Sequence, residues 1–289
     1  MSPSILKIDP NLNLGLHELA NTGEGCGTFR FRLRYAERQI EDILLNLDNL
    51  VQNTIDKAPM RTKDFCLNRT TDPPLTHEED KWERAIMKKW GREGADEYVP
   101  VCERIQTYQY PLQASRRDTC WGKIDLLGIG PDFRPVPNEL KKREATESPL
   151  KMLVEVAAYG FAIRKVWPNL KDYWVTAVSP SGAPRAQFPA SLDRVTLVGV
   201  APREYWLRSL GQWPGTKAGQ FPAEAWPPFW ELVDALGRWF NIHFVTVDGI
   251  WNNSALPILS SARVFDLRSE SGRGLKNSEA AEVSSLAAK

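Results

Sequence analysis

Asp125, Glu139 and Lys141 are the residues of this sequence best placed to do chemistry. They lie in "GKIDLLGIGPDFRPVPNELKKR" (122–143), two strand-like runs joined by a Gly/Pro turn. Charged side chains are almost never buried in a sheet unless they are paired or hold a metal. If 120–129 and 134–143 pair as a hairpin, Asp125 and Glu139 come close together. Two carboxylates that close repel, and either one takes up a proton or a divalent cation removes the repulsion. Oxygen ligands at this density suit Mg²⁺ or Mn²⁺, which keep several waters and accept a phosphate oxygen. Lys141 follows Glu139 by two residues and so points to the same side of a strand. The carbonyl of Leu140, between them, could supply a further oxygen. An ammonium beside such an ion orients the water or accepts its proton. Metal, activated water and positive charge together are the requirements of phosphodiester hydrolysis.

More polar residues interrupt apolar helices at regular spacing. "SPLKMLVEVAAYGFAIRKVW" (148–167) has Ser148 at an N-cap, Pro149 at N1 and apolar residues nearly all round, which predicts a buried helix. Lys151, Glu155 and Tyr159 interrupt it at i, i+4 and i+8, in a line down one face. Upstream, 32–52 is amphipathic, with Ile40, Ile43, Leu44, Leu47 and Val51 on one face and Glu37 continuing that stripe.

Taken in order, G-x-I-D (122–125), thirteen intervening residues, E-L-K (139–141) and E-V-A-A-Y (155–159) on a following helix resemble the PD-(D/E)XK, restriction-endonuclease-like nuclease superfamily, and are most similar to its RecB-like branch. The resemblance spans roughly 32–180. It implies that Asp125, Glu139, the Leu140 carbonyl and Glu37 hold Mg²⁺ or Mn²⁺. Glu41 is a less favoured substitute for Glu37 because it sits further round the helix. Lys141 becomes the catalytic lysine, Glu155 stands where the family often has Gln, and Tyr159 is the motif tyrosine. The implied function is metal-dependent hydrolysis of DNA phosphodiesters, on a restriction-endonuclease-like α/β/α core, and it admits a homodimer. Arg116, Arg117 and Lys123 could contact phosphates.

Other readings stay open. The chain could keep the fold as an inactive binding or scaffold protein. Its eleven tryptophans could instead serve a carbohydrate-active site with paired carboxylates, although Trp is by default core. Each motif also has a plain account: Asp125 capping a turn, Glu139 and Lys141 on a solvated face, and Lys151, Glu155 and Tyr159 as an ion pair beside a hydrogen-bonded tyrosine.

The elements that must position these residues form an α/β pattern. Helices over 32–52 and 78–91 precede strands over 104–113, 120–129 and 134–143; the 148–167 helix follows. Strands at 172–180 and 193–201, helices within 202–211 and 223–240 and a strand at 241–249 complete a mixed sheet flanked by helices. The expected domain is 32–266, after an irregular segment over 1–31 and before a disordered tail over 267–289. "GEGCG" (23–27) reads as a flexible loop rather than a phosphate cradle. With 289 residues and 42% hydrophobic content the chain can bury a full core, and a formal charge of +1 produces no global field toward nucleic acid or membrane. No apolar run approaches the ~20 residues of a membrane span. Four scattered cysteines and the absence of a signal-like N-terminus suggest reduced thiols in a cytoplasmic protein.

Overall fold

The computed structural model describes residues 8, 13–20, 31–62, 65, 67, 78–91, 99–114, 118, 120–130, 132–179, 188–214, 219–250 and 256–272. Six strands form one sheet in chain order: β1 (Arg104–Pro111), β2 (Lys123–Ile129), β3 (Pro135–Leu140), β4 (Val195–Pro202), β5 (Phe240–Ile250) and β6 (Ile258–Val264). β3, β4 and β5 run parallel, and the outer pairings are antiparallel. The expected mixed α/β sheet is therefore present.

The two faces bury different helices. One packs α1 (Leu16–Ala20), α2 (Ala36–Lys57), α4 (Pro149–Val178), α5 (Arg203–Ser209) and α6 (Trp226–Leu236) against Leu127, Ile129, Leu197 and Phe244. The other packs α3 (Glu78–Trp90) against Leu126, Val136, Val198 and Val245. Alternation along each strand thus covers both sides, as parallel strands require. Trp82, Trp90, Trp121, Trp167, Trp174, Trp206 and Trp226 are all buried, which is the core role expected of this residue.

β3 shows how a central strand accepts two prolines. Lys141 N–H donates to Val200 O at 2.9 Å, so by alternation the nitrogens of 139, 137 and 135 point toward β4. The β3–β4 register begins at Asn138↔Val198. Pro135 and Pro137 therefore precede that ladder, and their missing N–H groups cost it nothing.

Four expectations need correcting. The strand expected over 172–180 is replaced by helix over 172–178, because α4 runs on through Pro168 to Val178. A proline inside a helix costs about 3 kcal/mol. Burial of Leu170, Trp174, Val175 and Val178 at helical spacing offsets it, at roughly 1.5–3 kcal/mol per large apolar side chain. Trp174 Nε1–H also donates to Phe133 O at 2.7 Å. The irregular N-terminal segment contains α1, too short to leave a periodic signature, with Leu16 and Leu19 buried and Leu16 N–H bound to Thr54 Oγ1 at 2.7 Å. Residues 267–272, expected in the disordered tail, are helical and bury Leu267 and Ser271, and 273–289 lie outside the described residues. Cys120 is disulfide-bonded rather than reduced, while Cys102 is free and buried. Residues 23–27, Arg116 and Arg117 lie outside the described residues.

α4 sits close to the sheet because glycines admit it. A Cβ on Gly160 would come within 2.7 Å of the Phe240 ring and 2.8 Å of Leu197. Gly160→Ala gains about 1 kcal/mol of helix propensity but must displace a packed ring, and overpacking costs about 1–3 kcal/mol. The expected net result is a loss of about 1 kcal/mol, read in urea unfolding as a lower midpoint at unchanged slope.

Candidate active site

β2 and β3 pair as Leu126↔Asn138, Leu127↔Pro137 and Gly128↔Val136, and one step further along this register Asp125 lies opposite Glu139. Both share the sheet face of Leu127 and Ile129, which α4 covers. The β2–β3 ladder stops at this point, and the Asp125 side chain takes it over: its Oδ2 accepts Leu140 N–H at 2.8 Å. The two carboxylates thus flank the C-terminal end of β3 on one side of the sheet.

Lys141 follows and is buried, 3% exposed. Its Nζ lies 2.7 Å from Glu139 Oε1, 2.8 Å from Glu155 Oε2 and 2.7 Å from Glu147 Oε2. α4 delivers Glu155. Its N-cap Ser148 accepts Lys151 N–H at 3.2 Å, and Pro149 occupies the first turn. Lys151 pairs with Glu155 Oε1 at 3.2 Å and contacts Glu147 Oε1 closely. Tyr159 is buried one turn further along. Five residues singled out in the sequence, Asp125, Glu139, Lys141, Glu155 and Tyr159, therefore meet beneath α4, and the backbone of Leu140 is bound to one of them.

Glu37 and Glu41 do not join them. Both are exposed on α2 and make none of the cluster's ion pairs. The acids that a helix brings within electrostatic reach are Glu79 and Glu83 of α3. Sequence reasoning missed both, because "EEDKWERAIMKKW" reads as an ordinary amphipathic helix with acids in its first turn. It also missed Glu147, which lies in a charged loop that resembles solvated surface. Buried Glu83, on the α3 stripe of Trp82, Ile86 and Trp90, was the available signal. Lys123 is exposed at the start of β2.

The electrostatics follow from burial and mutual repulsion. Burial pushes the Asp125 carboxyl up to about 7 against the pull of Lys141 and the Leu140 N–H. Burial, then Asp125, raises Glu139 well above the usual carboxylate range. Burial and Asp125 lift Glu83 to about 9. Burial opposes the charge of Lys141, but Glu139, Glu155, Glu147 and Asp125 outweigh it and hold the ammonium protonated. Burial likewise opposes the Glu147 carboxylate, and Lys141 and Lys151 overcome it, bringing that group down to about 2. Burial, with Glu139 and Glu155 nearby, raises Tyr159 so that it stays a phenol.

Asp125, Glu139, Glu147 and Glu155 face the two ammonium groups of Lys141 and Lys151, so full ionisation leaves a surplus of two negative charges. Glu139 Oε2 is buried and accepts no hydrogen bond. An orphaned acceptor on the face it shares with Asp125, together with that surplus, is a donor set whose chemistry would suit a divalent cation. Among the described residues no group of three or more His, Cys, Asp or Glu side chains is gathered tightly enough to cage a metal by itself. No described helix is long and apolar enough to cross a membrane. Comparisons of the chain with family models, curated proteins and solved structures find no match.

The raised carboxyls make stability depend on pH. The folded protein keeps protons on Asp125 and Glu83 up to about 7 and about 9, whereas the unfolded chain loses them near its ordinary carboxyl values. The native state binds more protons over that window, so stability falls as pH rises. In metal-free buffer the melting temperature is expected to drop between about pH 5 and pH 8. Glu83→Gln should flatten that slope and raise stability at pH 8 by a few kcal/mol, by differential scanning calorimetry.

Proposed function

We propose that this chain is a divalent-metal-dependent nuclease that hydrolyses DNA phosphodiesters, of the PD-(D/E)XK type that its D…E-x-K pattern resembles. The observation that carries this reading is the register placing Asp125 opposite Glu139 on the face from which Lys141 and Glu155 converge. Asp125 and Glu139 would hold the cation, with the Leu140 carbonyl as a candidate third oxygen. The chemistry that Mg²⁺ or Mn²⁺ would supply there, when bound, is polarisation of a phosphoryl oxygen and a lowered pKa for water. Lys141, held protonated by its carboxylate neighbours, acts as a positioned cation that orients the water and faces the charge developing on phosphorus-bound oxygen. Glu155 fixes the lysine from α4, and Tyr159 closes the apolar side of the site. DNA as substrate goes with a cytoplasmic location; the disulfide at Cys120 leans the other way.

One observation favours a second reading. Three carboxylates already saturate Lys141, as in a purely structural ion-pair network. A scaffold that kept the fold without activity would look the same. Titration calorimetry separates the two, because the nuclease binds Mg²⁺ or Mn²⁺ in a manner that Asp125→Asn abolishes and the scaffold does not.

The direct test incubates linear and circular DNA with the wild type in Mg²⁺ and in EDTA. Cleavage in Mg²⁺ alone is expected, and nicking of the circle would show endonuclease action. Lys141→Ala and Glu139→Gln should each lower the rate at least about 100-fold, with circular dichroism confirming that the variants fold. Cleavage that persists in EDTA, or in both variants, overturns the assignment.

A further inference from the structure

Glu147 is the outermost member of the cluster: its side chain is 38% exposed, against 4% for Lys141 and 19% for Lys151. One oxygen, Oε2, lies 2.7 Å from Lys141 Nζ, and the other, Oε1, contacts Lys151 Nζ. A carboxylate that gives one oxygen to each of two ammonium groups copies what the two non-bridging oxygens of a phosphodiester would do in the same gap. In the adjoining loop Lys142 adds positive charge that reaches Glu79, while Arg143 pairs with Glu144.

The backbone around Glu147 is fixed. Tyr205 Oη–H donates to Glu147 O at 3.1 Å, and the Arg208 guanidinium donates to Ala145 O at 3.2 Å and Arg143 O at 2.7 Å. Ser148 caps α4 immediately afterwards. Moving the Glu147 carboxylate out of the gap thus needs only side-chain rotation between staggered rotamers, with no rearrangement of the loop. Once it leaves, Lys151 keeps Glu155 as a partner and Lys141 keeps Glu139 and Glu155, so neither ammonium is stranded.

We propose that the gap between Lys141 and Lys151 is a phosphate-binding position, occupied by the Glu147 carboxylate in the free protein and yielded to a nucleic-acid phosphate on binding. Lys151 is then a substrate-binding residue, and Glu147 is an internal competitor that weakens DNA binding until a phosphate displaces it. The identity of the phosphate as part of DNA rests on the nuclease reading; the anion position itself does not.

The test is anisotropy of a labelled DNA duplex in EDTA across a salt series, so that binding is measured without cleavage. Glu147→Gln is expected to bind about five- to tenfold tighter than wild type. The slope of log K against log salt should steepen by about 0.9, the signature of one added phosphate contact. Glu147→Asp, whose shorter side chain cannot span both lysines, should shift the same way by less. Lys151→Met should weaken binding, and in the Glu147→Gln/Lys151→Met double variant the gain should vanish. Glu144→Gln removes the same charge from the same loop at an exposed position and serves as the control. A Glu147→Gln affinity equal to or below wild type, or a gain matched by Glu144→Gln, overturns the proposal. Cleavage in Mg²⁺ is scored separately. A specific gain in binding without cleavage by the wild type leaves the phosphate position standing and removes the nuclease reading, and cleavage without the gain does the reverse.

Discussion

A lysine ammonium buried beneath a helix is the constraint around which this structure is arranged. Taking such a charge out of water costs several kcal/mol, and only close, well-oriented carboxylates repay it. At Lys141 they come from the end of β3 (Glu139), from the following loop (Glu147) and from the second turn of α4 (Glu155). That arrangement fixes how far α4 lies from the sheet and how it is rotated. The close approach also needs glycines where helix meets sheet: Gly199 on β4, opposite Glu139, leaves room for Met152, and Gly160 on α4 leaves room for the Phe240 ring.

The cluster is over-supplied with acid for the two lysines it contains, and this is hard to explain as stability alone. Asp125, Glu139 and Glu83 are pushed upward by burial and by one another, so the metal-free protein meets the excess by keeping protons. A structural network would more economically match its charges or replace them with apolar groups of similar volume. Buried groups that repel one another around an orphaned acceptor are more typical of a site that binds something positive.

Much of this was legible in the sequence, for identifiable reasons. β2, β4 and β5 are short apolar runs, and α4 announces its start with Ser148 and Pro149. The line Lys151–Glu155–Tyr159 follows from helical geometry and survives intact. Longer-range facts were not legible. Whether α2 or α3 brings acids to the sheet depends on packing across many residues, and Glu37 on an apparent apolar stripe pointed to the wrong helix. Pro168 looked like a terminus because its local cost is visible in sequence, whereas the compensating burial of Trp174 and Val178 is not. β6 and α1 were missed for lack of length or alternation. Glu147 carried no signal in the sequence, and its role appears only when the turn after β3 brings it back over Lys141.

The ties from α5 to the carbonyls of Arg143, Ala145 and Glu147 have an evolutionary consequence. They set the number of residues that can separate the end of β3 from the start of α4, because an insertion or deletion there would shift the carbonyls out of reach of Tyr205 and Arg208 and carry Glu147 off the lysines. Divergent descendants of this chain should therefore keep that connection at constant length, and a change at Tyr205 or Arg208, about sixty positions downstream, should be accompanied by a compensating change within it.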